Sequence, residues 1–459
     1  GQRHILAAGL TNISLHQQDF FEYACEEASF DYIIAHGVFS WMPEERQPEF
    51  LAKVQRALAP HGVAFISHNV LPGWHLRNAT RSMLRFHAQS GEERKSPQAC
   101  REFISWLAGA SEIFEKDVYP LFLRQQREHL DRCPDPVIVH DLLCEENNAL
   151  YYRDMARLAR ENGLQVWADA EVGRSHYDRL PAEVREHIAS LTEEPEEQEQ
   201  YADFVLKQTF RCSLLCQANR EVSRTPLPPA FLQLHVASTL APHSQTIELD
   251  KTHTETFSCG PYEAKTNCPF EKVALLILAQ SYPATVPMEQ LLPVCEAAMA
   301  ENGHEVTEEQ VVGFCGRLVH AMSHQYIKAY NCAIPAANDL TAYPQATRMA
   351  RAQAAHDGVS VVNLHHESIR LEGPARQLLA LLDGTRSLSE LAERLGVSSD
   401  ELRKLLSELM LCGFVLAGEP AQAQETGHTG ASALDGSGAG EKTTVVEEAT
   451  QAGAGAVPS

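Results

Sequence analysis

The sequence predicts an α/β fold in which helices cover both faces of a mostly parallel sheet. In the first 172 residues, nearly continuous apolar strand candidates alternate with helical stretches, which is typical of that architecture. A second observation concerns residues 361–417, where three short amphipathic helices lie between two strand-like segments. We therefore expect a small winged-helix-like module after the α/β domain.

The strands and helices of the expected α/β domain follow from the period of their apolar residues. Strands are expected at residues 13–16, 30–35, 63–67, 137–139 and 164–167. Helices are expected at residues 48–59, 74–89 and 149–162, and residues 91–135 are expected to form a helical insertion. In the first of these helices, Phe50, Leu51, Val54 and Leu58 make one apolar stripe that faces the sheet.

The rest of the chain divides by composition. Residues 173–345 are expected to form a mainly helical region, with helices at 269–279, 288–300 and 308–323. Residues 346–417 contain the winged-helix-like module, in which two segments have the spacing of a helix capping box. From Gly418 onward the chain has few large apolar residues, so it cannot bury enough surface to offset its conformational entropy. We expect residues 418–459 to be disordered.

The net charge and the cysteine content restrict the binding partners and the cellular location that the sequence predicts. The 459 residues include 61 acidic and 38 basic ones, for a net charge of -23, which disfavours nucleic acid and anionic membranes. The 12 cysteines contain no CxxC pair, so reduced thiols, a cytoplasmic location and no metal site are expected. Cys212 and Cys216 have i, i+4 spacing, which indicates buried residues on a helix. Cys259 and Cys268 make at most a weak zinc half-site.

Candidate site residues follow the strands, because ligands of doubly wound sheets bind beyond the carboxyl ends of the strands. These residues are Asp19 and Phe20 after the first strand, Ala35, His36 and Gly37 after the second, and Ser67, His68 and Asn69 after the third.

The residues around these strand ends resemble a known family. The segments QDF (18–20), FDYIIAHGVFSWMP (30–43) and LAPHGVAFIS (58–67) resemble the middle and later motifs of class I methyltransferases. AHGVFSW (35–41) and NVLPGW (69–74) resemble bacterial methyltransferases that carry a methyltransferase regulatory domain, a group that includes protein-lysine methyltransferases. FRCSLLC (210–216) resembles part of that regulatory domain, and NLHHE (363–367) with LDGTR (382–386) resembles its winged-helix segment.

The resemblance implies a Rossmann-like sheet, S-adenosyl-L-methionine as cofactor, a protein substrate and roles for single residues. Asp19 would accept a hydrogen bond from the adenine amino group, with Phe20 beside the ring; a helix N-cap is the other interpretation of Asp19. Ala35, His36 and Gly37 would lie beside the methionine part of the cofactor, and His36 would be a general base or a polar wall. Trp41, His68, Asn69 and Trp74 are the substrate-side candidates, and Trp41 could equally be a core residue.

The ribose and methionine parts of the cofactor need a Gly-rich turn after a first strand and an acid after a second one. No strand followed by GxG is found in the part of the chain expected to be ordered, and the first residues predict the end of a helix closed by Gly9. We therefore expect a methyltransferase sheet that lacks its first strands because of N-terminal truncation. Such a fragment is expected to bind the cofactor weakly or not at all and to be inactive.

Two further functions stay open at this stage. One is a catalytically inactive adaptor that binds a protein partner through its C-terminal modules. The other is a DNA-binding regulator, which the balanced charges of residues 400–408 and the net charge of -23 disfavour. The sequence leaves the methyl acceptor and the oligomeric state undetermined.

Overall fold

The computed structural model describes residues 1–114, 116–171, 180–223, 228–260, 262–324, 326–356, 360–417 and 443–446. It divides into two compact units, one containing residues 18–224 and the other residues 1–17 and 225–447. The strands are β1 Ile13–His16, β2 Phe30–Ala35, β3 Leu58–Asn69, β4 Leu164–Asp169, β5 Phe210–Gln217, β6 His235–Ser238, β7 Ala241–Pro242, β8 Glu255–Cys259, β9 Tyr262–Thr266, β10 Val286–Pro287, β11 Ile327–Tyr330, β12 Val361–Val362, β13 Ser368–Ile369 and β14 Thr443–Val446.

The unit of residues 18–224 is built on a four-stranded sheet with the order β2-β3-β5-β4. β2 is parallel to β3, whereas β5 is antiparallel to both of its neighbours, β3 and β4. Helices Gln47–Ala57 and Tyr152–Glu161 bury apolar faces in the same core as this sheet. The expected α/β architecture is confirmed, with one antiparallel strand inserted between parallel ones.

Helices after β3 form the expected insertion. They span Gly73–Ala88, Pro97–Ser111 and Val118–Arg132, and they enclose a small core of their own that includes Leu84, Ile104 and Leu130. Helices Ala182–Leu191 and Pro195–Leu206 precede β5.

Two expectations for this unit are wrong. Residues 137–139 are helical, within Asp135–Val137 and the π-helical turn Ile138–Leu143, and Ile138 packs in the insertion core instead of on a sheet. Cys212 and Cys216 are buried in strand β5 and not on a helix. A short, fully apolar run has no period that separates a buried strand from a buried helix.

The other unit contains two further cores. Helices Pro269–Ser281, Met288–Glu301 and Glu308–Ser323 pack with the sheet β10-β6-β11 and with Phe257 of the sheet β7-β8-β9. Residues 173–345 thus contain strands β5 to β11 besides the expected helices. A second core joins helices Arg348–Ala354, Gly373–Leu381, Leu388–Leu395 and Ser399–Leu411 with the hairpin β12-β13, as expected for a winged-helix-like module.

The chain ends differ from the expectation in one respect. After helix Gln2–Ala8, which ends at the left-handed Gly9, strand β1 pairs in parallel with β14 and does not join the four-stranded sheet. Part of the tail expected to be disordered is therefore a strand, because its four residues supply backbone donors and acceptors to β1. The other residues of 418–459 lie outside the described part of the chain.

Candidate functional site

The ends of β2 and β3 lie side by side and bring the central candidate residues together. Ala35 pairs with Ile66 in the parallel register, so the turn after β2 lies next to Ser67. Ser67 Oγ is 3.0 Å from His36 Nδ1 and accepts a hydrogen bond of 2.8 Å from the Gly37 backbone N–H. Ala35 is buried in the sheet core, while His36 and Gly37 are exposed. The site therefore opens at residues 36 and 37.

Gly37 has a geometry that suits close approach of a ligand. Its φ of +72° lies in the left-handed region, and a Cβ at this position would meet no atom within 4 Å. The backbone there faces open space. The His36 ring stands edge-on to Phe65 and Phe210, with centroid distances of 6.0 and 6.1 Å, so two aromatic rings restrict its orientation.

Asp19 and Phe20 lie in a turn before β2. Asp19 Oδ1 accepts a 2.7 Å hydrogen bond from the Phe21 N–H, and no α-helix starts here, so the helix N-cap interpretation of Asp19 does not hold. Phe20 packs on Phe50 at 4.7 Å between centroids. Lys53 Nζ donates to the carbonyls of Phe20 and Phe21 at 2.6 and 2.9 Å and thereby fixes the turn. The exposed Asp19 carboxylate is accessible to a ligand.

His68 is in a different environment from the expected one. It is 1% exposed, and its Nε2 is 2.9 Å from Ser213 Oγ of β5. Burial, with a smaller contribution from the Arg211 charge, lowers the pKa of His68 to about 3, so the ring is neutral. The expected substrate contact of His68 is wrong for this structure, because β3 continues to Asn69 and alternation turns His68 into the interior.

Asn69 connects the strand end to a polar loop. Its backbone N–H donates to Ser40 Oγ at 2.8 Å, and its Nδ2 donates to Asn147 Oδ1 at 2.9 Å. In the same loop, Asn148 Nδ2 donates to Met42 O at 2.7 Å and to Glu146 Oε2 at 3.1 Å. Amide groups and a carboxylate thus lie beside the end of β3.

The two tryptophans meet at 6.1 Å between ring centroids in an edge-to-face contact. Trp74 is 1% exposed, so it does not present a surface to substrate. Trp41 is half-buried and lies 4.5 Å from the His140 ring. Of the pair, only Trp41 has a surface that a substrate can contact.

Two buried arginines were missed by the sequence interpretation. Arg81 donates to the backbone carbonyls of residues 141, 144, 145 and 146 and so fixes the polar loop beside Asn69. Arg211 of β5 contacts three buried carboxylates, those of Asp169, Glu199 and Asp203. A single arginine in a helix or strand carries no pattern that reveals such contacts before the fold is known.

The charges around Arg211 are unequal, with three carboxylates to one guanidinium. Burial raises the pKa of Glu199 to about 7, although the Arg211 charge acts in the opposite direction. Glu199 and Asp203 raise the pKa of Arg211 against the effect of burial, so the arginine stays charged. The Arg211 guanidinium also lies 4.2 Å from the centre of the Tyr152 ring. This cluster attaches helices Tyr152–Glu161 and Pro195–Leu206 to β5.

Within the described ranges, no group of three or more His, Cys, Asp or Glu side chains is arranged to hold a metal ion. Among the same residues, none of the helices combines the length and apolar character that crossing a membrane requires.

Three families match the chain. Residues 1–62 match a methyltransferase domain, residues 134–217 a predicted methyltransferase regulatory domain, and residues 342–403 the C-terminal winged helix domain of PKMT. These matches show that the chain contains a methyltransferase domain, a methyltransferase regulatory domain and a winged helix domain, and with the sheet and its strand-end site they support an S-adenosylmethionine-dependent methyltransferase. The regulatory match begins at residue 134, before residue 173, where the sequence interpretation placed the start of that region.

Several individual proteins similar to the chain come from Rickettsia. An uncharacterized protein of Rickettsia prowazekii is 24% identical over 398 residues, which are 85% of this chain and 71% of the relative. A second one from the same organism is 30% identical over 167 residues, 36% of this chain and 66% of the relative. Among solved structures, PKMT2 from Rickettsia typhi in complex with AdoHcy has a TM-score of 0.79 at 21% identity, covering 90% of this chain and 86% of PKMT2.

Proposed function

We propose that the protein transfers the methyl group of S-adenosylmethionine to the side-chain amine of a lysine in a protein substrate. The observation that carries the proposal is the joint strand end of β2 and β3, where His36 and Gly37 are exposed next to Ser67. The PKMT winged helix match and the AdoHcy complex of PKMT2 support this acceptor and this cofactor.

The residues of the strand ends fit the cofactor at several points. The exposed carboxylate of Asp19 would accept a hydrogen bond from the adenine amino group, and Phe20 would lie against the ring. The open backbone at Gly37 would allow the methionine part to approach closely. When bound, the cofactor supplies a methyl group already activated on a sulfonium, so the protein has to position the acceptor in line and exclude water.

On the acceptor side, the polar loop beside Asn69 suits a cationic amine. Asn148 donates a hydrogen bond to the carboxylate of Glu146 and another to the carbonyl of Met42. Trp41, the residue before Met42, offers a half-buried aromatic surface. Before transfer, the lysine ammonium has to lose one proton, because only the neutral amine has the lone pair that attacks the methyl carbon. Neighbouring carboxylate and amide oxygens would orient the amine by hydrogen bonds.

The proposal is tested by titrating S-adenosylhomocysteine calorimetrically into the protein as encoded in full by its gene. Asp19→Ala should weaken binding about 10-fold or more, as expected for the loss of a hydrogen bond to a charged group. Asp131→Ala, an exposed aspartate on the insertion helix, is the matched control and should leave the affinity unchanged. If the unmodified protein does not bind, the adaptor function replaces the methyltransferase function. If the protein binds S-adenosylhomocysteine but methylates no lysine-containing protein, the proposal that lysine is the methyl acceptor is wrong.

A further inference from the structure

The hydroxyl of Ser67 occupies a position with two nitrogen neighbours. Ser67 is 1% exposed, near the end of β3. The Gly37 backbone N–H donates to Ser67 Oγ at 2.8 Å, and His36 Nδ1 lies 3.0 Å from the same oxygen. In the described part of the chain, these two nitrogens are the hydrogen-bond neighbours of the hydroxyl.

Proton counting assigns the direction of the contact with His36. A backbone N–H can only donate, so Ser67 Oγ is the acceptor for Gly37. If His36 Nδ1 also donated, the hydroxyl proton of Ser67 would be buried without an acceptor, which costs about 1–3 kcal/mol. If the hydroxyl donates to Nδ1 instead, both the hydroxyl and the imidazole nitrogen are satisfied.

We propose that Ser67 is a positioning residue that holds neutral His36 in the tautomer with its proton on Nε2. The lone pair of Nδ1 is then occupied by the Ser67 hydroxyl, and Nε2 presents an N–H at the exposed strand end. In this form His36 would donate a hydrogen bond to an oxygen of the bound cofactor, and it has no free nitrogen lone pair with which to accept the lysine proton. The donor role, but not the tautomer, rests on the proposed function.

The tautomer is measured directly by long-range proton–nitrogen NMR on protein with nitrogen-15 histidines, at a pH at which His36 is neutral and without cofactor. The His36 signals are assigned by their loss in His36→Gln. The expected spectrum has an unprotonated Nδ1 and a protonated Nε2. Ser67→Ala should shift His36 toward a mixture of tautomers, and Ser67→Thr, which keeps the hydroxyl, should restore the Nε2–H form. An Nδ1–H tautomer in the unmodified protein would overturn the proposal.

The donor role is tested by S-adenosylhomocysteine titration of two His36 variants. His36→Gln keeps an N–H donor near the position of Nε2 and should bind within about 3-fold of the unmodified protein. His36→Phe keeps only the ring and should bind about 10-fold more weakly or worse, the effect of one hydrogen bond to a charged group. Equal losses of affinity in both variants would refute the proposed role of His36 as a hydrogen-bond donor. Absence of binding in the unmodified protein would refute the proposed function and the donor together, while the tautomer result would stand.

Discussion

At the residue scale, the candidate site shows how far strand-end reasoning extends. His36 and Gly37 lie where the sequence placed them, because a parallel strand that ends at Ala35 must present the next two residues at the sheet edge. His68 does not lie at the strand end where the sequence placed it. Strand β3 continues to Asn69, two residues beyond the apolar run 63–67 from which the strand was predicted. Because side chains alternate along a strand, an error of one residue in the predicted strand end changes whether a side chain faces the candidate site or the protein interior.

Glu199 gives a prediction for pH dependence. Its pKa is raised by burial to about 7 in the folded protein, so the native state keeps a proton that the unfolded chain releases near pH 4.5. Between these two values the native state binds more protons, and the free energy of unfolding falls as pH rises, by up to about 1.4 kcal/mol per pH unit from this group.

Urea unfolding of Glu199→Gln from pH 4 to pH 8 measures this contribution. In the unmodified protein the free energy of unfolding should fall between about pH 4.5 and pH 7 because of Glu199. The variant should lack this contribution to the pH dependence. Glu193→Gln removes an exposed negative charge of the preceding loop and controls for the change in net charge alone. Identical slopes in the Glu199 variant and the unmodified protein would show that Glu199 is ionised throughout.

At the element scale, the start of helix Gly73–Ala88 depends on a glycine. A Cβ at Gly73 would lie 2.4 Å from the Gln208 carbonyl oxygen and 2.7 Å from that of Lys207, both backbone atoms. The Gly73 N–H also donates to Gln208 O at 3.0 Å. The helix that follows β3 can therefore approach the segment before β5 only without a side chain at this position.

Gly73→Ala should destabilise the protein by about 1–3 kcal/mol, because the backbone of residues 207–209 has to move away. Gly109→Ala is the matched control: it lies inside helix Pro97–Ser111 with no atom within 4 Å of the added Cβ, and it should stabilise by about 0.5–1 kcal/mol. Chemical denaturation of both variants gives the two free energies. If Gly73→Ala were as stable as the control, the start of helix Gly73–Ala88 and residues 207–209 could move apart without a loss of folding free energy.

At the scale of the whole molecule, one histidine joins two cores of the unit that contains residues 225–417. His365 Nδ1 is 2.7 Å from Tyr330 Oη, and His365 Nε2 is 2.8 Å from the Pro283 carbonyl oxygen. Tyr330 ends β11 of one core, and His365 belongs to the hairpin of the winged-helix-like core. Because His365 is buried, these bonds couple the two modules without competition from water.

His365→Ala should weaken this coupling, since Tyr330 and Pro283 each lose a buried partner at about 1–3 kcal/mol. Hydrogen exchange should accelerate in β11 more than in helix Ser399–Leu411, and calorimetric unfolding should broaden or split. His366→Asn, an exposed residue at φ +59°, a backbone region that asparagine tolerates, is the control and should change neither measurement. Uniform acceleration in both modules would show one cooperative unit instead of two coupled ones.

The class of the fold, the winged-helix-like module and the turn after β2 could be predicted from the amino-acid sequence, because local periodicity and strand-end position are properties of short segments. Three features became evident only in the folded chain: FRCSLLC is a strand inserted antiparallel between β3 and β4, β1 pairs with β14, and His68 and Trp74 are buried. Those outcomes depend on which partner is available to a segment, and partners such as Ser213 for His68 or Ser67 for His36 lie 145 and 31 residues away in the chain. Contacts over such distances leave no pattern in a single sequence.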